Sequence, residues 1–117
     1  MKTRTKWPLG KYHKMDFDNV RWNADFHRIS EPVHSANQFE AVGNDDAAIE
    51  SYAAAIRIGE CIGDAMFHAY RHAYERIIAL LRRTPDVVTL EQYCRAYITH
   101  PVDESTRTRI NNIIQSI

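Results

Sequence analysis

Asp64, His68 and His72 are the residues of this chain whose spacing comes nearest to chemistry. At i, i+4 and i+8 they share one face of a helix. Two imidazoles one turn apart can chelate a divalent metal, and a carboxylate can add a third ligand. The segment lacks the glutamate of a His-Glu-x-x-His zinc protease, and no second ligand pair accompanies it. The competing reading is a solvated helix face opposite an apolar one, and it is preferred: no metal or other cofactor is expected. Cys61 and Cys94 could each meet one of the six histidines as a nucleophile and base. Neither sits on a glycine-bounded elbow. Both fall at apolar-leaning helical positions, where thiols are buried and inert. The four glycines are isolated, so no loop is built to cradle a phosphate. The carboxylates form no recognisable acid–base pair. The expectation is a protein that is not an enzyme.

Two further groups of residues could bind rather than react. Lys2, Arg4, Lys6, Lys11 and Lys14 lie within residues 1–14 with Trp7 and Tyr12 and without a single acid. Residues 16–50 carry Asp16, Asp18, Asp25, Glu31, Glu40, Asp45, Asp46 and Glu50 against only Arg21 and Arg28. A basic arm and an acidic flank centred on Asp45 and Asp46 would steer association with an oppositely charged protein, a second copy included. Residues 89–114 can be laid out as a helix-turn-helix, with Arg95 on the first helix and Ser105, Thr106, Arg107 and Arg109 opening the second. Arg107 then occupies a normally apolar position, and bulky Tyr97 one that is normally small. With fifteen basic and fifteen acidic residues cancelling, nucleic-acid binding is expected to be weak and nonspecific.

The elements that must position these groups are helical. Phe67, Tyr70, Tyr74, Ile77 and Leu81 recur at steps of three and four, with Met66, Ala69, Ala73 and Leu80 beside them. Asp64–Arg83 therefore reads as a long amphipathic helix, with His68, Arg71, His72, Glu75, Arg76 and Arg82 mostly left to solvent. A stripe that wide needs other helices to cover it. Ser30 and Pro32 suit a helix start, Gly43 a stop, and Asn44-Asp45-Asp46 the cap and first turn of the next helix. That helix carries Ala48, Ile49, Tyr52, Ala55 and Ile56 up to Gly59, and Glu60–Gly63 forms a joint. Thr84-Pro85 ends the long helix. Thr89 and Gln92 form a capping box flanked by Val88 and Tyr93, opening a helix that runs to His100-Pro101. A last helix starts near Asp103 with Ile110, Ile113, Ile114 and Ile117 as its core edge.

Residues 11–29 fit two patterns. Val20, Trp22, Ala24 and Phe26 alternate with polar residues as a strand would, with a hairpin turn at Asp18-Asn19, yet Trp22, Phe26 and Ile29 also suit a helix. Helix is preferred, because a lone hairpin has no sheet to join. Ala36, Phe39, Gly43, Ala48, Tyr52 and Ala55 are similar in type and spacing to part of a tetratricopeptide repeat over ~20 residues. Pro32 stands at the tryptophan position and Glu60 at the closing proline, so the resemblance implies a helical hairpin and no repeat.

The sequence thus describes an all-α single domain of five to six helices around a central helix near 64–83, with residues 1–10 as a flexible arm and 11–117 as the helical domain. No apolar run approaches the ~20 residues of a membrane span, and no apolar stretch of signal type follows the basic N-terminus. A cytoplasmic, non-enzymatic protein-binding module is expected, of the kind that inhibits a larger complex, such as those of phages and mobile elements. Homo-oligomerisation is compatible with the segregated charge. A small DNA-binding regulator is the second reading and a metal-binding helical protein the third.

Overall fold

A computed structural model describes residues 9–117, with side chains from Val20 onward. Five helices follow one another: α1 Leu9–Ala41, α2 Asp45–Ile62, α3 Phe67–Leu81, α4 Val87–Tyr97 and α5 Glu104–Gln115, with a short 3-10 turn at Asp64–Met66 before α3. No strand occurs among the described residues. The two patterns of residues 11–29 resolve to helix. The basic residues Lys2, Arg4 and Lys6 lie outside the described residues, as do the side chains of Lys11 and Lys14.

α1 corrects the expected helix start at Ser30. The helix runs through Ser30 and holds Pro32 in its interior. Ser30 does not cap: its hydroxyl bonds back to the His27 carbonyl at 3.4 Å. An interior proline costs ~3 kcal/mol. The offset is burial, since Ile29 and Ala36 are fully buried and Val33 packs on the same core. Tertiary packing overrides the local signal.

Gly43 ends α1 as expected, at φ +79°. Asn44 N–H donates to the Phe39 carbonyl at 2.9 Å and Gly43 N–H to that of Glu40 at 3.0 Å. This six-to-one and five-to-two pair is a Schellman close, which needs a left-handed residue at the glycine. Asn44 then caps α2, its Oδ1 accepting from Ala47 N–H at 3.3 Å. Helices α1 and α2 form the hairpin against which α3 packs. α2 continues through Glu60 and Cys61 to Ile62, so the joint shrinks to Gly63. The close approach at this end is Gly59: a Cβ there would lie 2.2 Å from the Tyr70 ring. Cys61 is exposed, not buried as expected, whereas Cys94 is buried.

α3 is the centre. Phe67, Tyr70, Tyr74, Ile77 and Leu81 are all buried, together with Met66, Ala73, Ile78 and Leu80. The expected stripe is the core. Four tyrosines, Tyr52, Tyr70, Tyr74 and Tyr97, are its largest fully buried side chains. Tyr74 stacks on Tyr97 with centroids 5.1 Å apart.

Three details of the C-terminal half differ from expectation. α4 is capped by Asp86, whose Oδ1 accepts from Thr89 N–H at 3.1 Å, so Thr89 lies inside the helix and the Thr89–Gln92 box does not open it. A carboxylate is the better acceptor at a helix N-terminus, where the dipole favours negative charge. α4 also stops at Tyr97 instead of reaching His100. α5 begins as expected after Asp103; Ile110 and Ile113 are buried and Ile114 partly so, but Ile117 is exposed.

Candidate functional site

Among the described residues His100 is a buried polar side chain enclosed on every side. The turn after α4 drives it inward until only 6% of its surface is exposed. The Phe67 ring stacks on it with centroids 4.4 Å apart, and Tyr70 and Tyr74 flank it at 5.7 and 5.6 Å. Nε2 lies 2.8 Å from Glu60 Oε2, at the end of α2, and Nδ1 lies 2.7 Å from Asp64 Oδ1, in the 3-10 turn. A carboxylate oxygen accepts, so the protonated ring donates to both partners, one bond from each nitrogen. Burial pulls its pKa down, but the hydrogen bonds and charges of Glu60 and Asp64 outweigh that and leave it above the ordinary 6.5. Tyr74 donates its hydroxyl to the same Glu60 oxygen. Burial, then Glu60, pushes the Tyr74 pKa up. The Tyr70 hydroxyl is buried without a hydrogen-bond partner, and burial followed by the nearby Glu60 and Asp64 charges raises its pKa to about 12.

Chemically, this is a clamp. Both ring nitrogens are engaged by carboxylates, one on each side of the ring. What it does is tie the end of α2, the 3-10 turn and the α4–α5 connection together over the α3 aromatics.

Two more polar networks seam the helices. Glu75 accepts from the Tyr97 hydroxyl at 2.6 Å and from Arg109 Nη2 at 2.7 Å. Arg71 donates to the Tyr97 hydroxyl at 3.1 Å, to Asp103 at 3.0 Å and to Thr106 at 3.1 Å. Burial alone would raise the Glu75 pKa; Arg109 and Tyr97 reverse it, leaving it lowered. The Thr106 hydroxyl and Arg71 together hold Asp103 at about 2. On the other side of α3, Arg76 pairs with Glu40 of α1, and the Tyr52 hydroxyl lies 2.8 Å from Glu40 Oε1 and 2.6 Å from Asn37 Oδ1. Arg71, Glu75 and Arg76 were expected at the solvent; they are partly buried and engaged.

The structure disperses the candidate metal ligands. Asp64 is taken by His100, exposed His68 stacks on Trp22 with centroids 6.1 Å apart, and His72 lies edge-on to Tyr52, its Nε2 3.4 Å from Asn37 Oδ1. Among the described residues no three His, Cys, Asp or Glu side chains are grouped to hold a metal ion. Of the acidic flank, Asp45 pairs with Arg83 at 3.1 Å, while Asp46 is exposed. The helix-turn-helix residues also fold back on the protein. Arg95 pairs with Glu91, Thr106 is buried, and Arg109 is held by Glu75. Arg107 explains its own departure from the apolar pattern: its guanidinium donates to the Ile98 carbonyl at 2.6 Å, which α4 leaves open, and reaches the His100 carbonyl at 3.4 Å, which also accepts from Val102 N–H at 2.8 Å. Ser105 remains exposed.

The clamp was not read from the sequence. His100 is separated from Glu60 by 40 residues, and the available signal was a histidine beside a helix-ending proline.

Fold and site together define a small all-α single-domain protein whose buried polar groups seam its helices to one another. Compared with known protein families, characterised proteins and solved structures, the chain matches none. No described helix is long and apolar enough to cross a membrane.

Proposed function

We propose that this protein is a non-enzymatic protein-binding module of the cytoplasm, acting as an adaptor or as an inhibitor that occupies a surface of a larger complex. The observation that carries the reading is the stretch of α1 from Val20 to Ile29. Among the described side chains of α1 the first buried one is Ile29, while Val20 and Trp22 are 66% and 46% exposed. Trp22 is held in place by stacking on Phe26 and His68 yet stays largely open, and exposed large apolar side chains presented together on one helix mark a recognition surface. The polar networks support the same reading, because Glu60, Asp64, His100, Glu75 and Arg71 are spent on one another.

The basic residues Lys2, Arg4, Lys6, Lys11 and Lys14 precede this surface and would steer it toward an acidic partner. Asp46 contributes from the first turn of α2; Asp45, held by Arg83, contributes less. The test is affinity capture from native lysate with the parent and a Val20→Asp variant. The parent should retain a discrete partner that the variant loses at an unchanged melting temperature. Identical capture by both would refute the assignment of the surface.

A further inference from the structure

A second surface lies on the opposite half of the chain and does not involve α1. A groove of about 510 Å³ runs between the end of α3 and one face of α5. Its lining includes Arg82, Ser105, Thr108, Arg109, Asn112 and Ile113, with no carboxylate among the residues that line it. Steps of three, one and three place Ser105, Thr108, Arg109 and Asn112 on one stripe of α5. Ile113 is the buried floor.

Two features of this groove exceed what a solvated helix face requires. Arg82 is exposed and makes no hydrogen bond or ion pair among the described residues, although its neighbour Arg83 is paired. Arg109 is held in place by Glu75, which takes one of its N–H groups. A guanidinium has five, so Arg109 is positioned and still has donors to offer. After Glu104 the whole of α5 carries no acid.

The geometry points to a binding site for a phosphate-bearing ligand, seated with its phosphate between Arg82 and Arg109. Two guanidiniums, two hydroxyls and an amide supply more donors than the two oxygens of a carboxylate can accept, and they are the side chains that hold phosphate oxygens elsewhere. Arg82 supplies unneutralised charge, Arg109 a fixed fork, and Ser105, Thr108 and Asn112 the remaining hydrogen bonds.

The experiment is a titration of the isotopically labelled full chain, followed by NMR, with inorganic pyrophosphate and separately with a short single-stranded oligothymidylate. Both probes should shift α5 resonances of Thr108, Arg109 and Asn112 saturably. Arg82→Glu should weaken binding about tenfold or more, because it reverses an unpaired charge at the site. Arg57→Glu, the same charge change at an exposed position outside the groove, should change it by less than about twofold. Thermal midpoints of both variants check that the fold is intact. Tighter binding of the oligonucleotide would assign the ligand to a nucleic-acid strand, and equal binding to a free phosphate compound. Absence of saturable α5 shifts with either probe, or equal weakening by Arg57→Glu, would overturn the site.

Discussion

The imidazole of His100 bonds Glu60 across 40 residues of chain while stacked 4.4 Å from the ring centre of Phe67. The bond closes α2 onto the α4–α5 connection, and Asp64 closes the 3-10 turn onto the other ring nitrogen.

Stability should therefore fall as the medium becomes alkaline. The folded pKa of His100 is raised above the ordinary 6.5. A raised histidine contributes its full stabilisation below the unfolded pKa of ~6.5 and loses it as pH climbs through the folded value. Above that value a neutral ring donates one hydrogen bond and turns a lone pair toward the second carboxylate. Urea unfolding from mildly acid to alkaline pH should show this decline in the parent and a flatter profile in His100→Gln. The same decline in both proteins would remove the clamp as its cause.

Gly59→Ala should destabilise the protein, against the usual sign. Alanine in a helix is normally better than glycine by ~1 kcal/mol. Here the added Cβ would lie 2.2 Å from the Tyr70 ring, which is itself fully buried. Overpacking of this kind costs ~1–3 kcal/mol. A urea midpoint equal to or above the parent's would show that Tyr70 has room to move.

Tyr70→Phe and Tyr74→Phe remove the same atom from neighbouring tyrosines and should act oppositely. The Tyr70 hydroxyl is buried and unpaired, so its removal relieves a desolvation cost and stabilises by ~1 kcal/mol. The Tyr74 hydroxyl donates to Glu60, so its removal should destabilise by ~1 kcal/mol or more. Shifts of the same sign in chemical denaturation would contradict the hydrogen-bond assignment.

These residues also show what was legible in the sequence. The Phe67–Leu81 stripe was readable because a single period of three and four fixes which side chains must be covered. Gly43 and Asn44 were readable because a left-handed stop and a side-chain cap are local devices. Pro32 misled because its local cost is outweighed by Ile29 and Ala36, whose burial depends on helices that come later in the chain. Thr89 misled because the carboxylate of Asp86, three residues earlier, takes the Thr89 N–H and so places Thr89 inside the helix. The His100 clamp is invisible because its partners lie 36 and 40 residues away and are set by tertiary geometry, and the Arg107 back-contact is invisible because a side chain that serves backbone carbonyls in a loop leaves no periodic trace.

Arg107→Ala should destabilise the α4–α5 connection. The guanidinium serves the Ile98 and His100 carbonyls from a partly buried position. The His100 carbonyl keeps its bond from Val102 N–H, but stranding the Ile98 carbonyl costs ~1–3 kcal/mol. Hydrogen exchange should then quicken at residues 98–103 more than in α2; uniform protection across the chain would deny Arg107 this role.

The protein-binding account is tested most directly by photo-crosslinking in the native cell, with a benzophenone side chain placed at Val20 and, as control, at Val88. The two positions are almost equally exposed, at 66% and 64%, on different helices. The account predicts a discrete higher-mass adduct from position 20 and none from position 88. No adduct from position 20, or the same adduct from both, would contradict it.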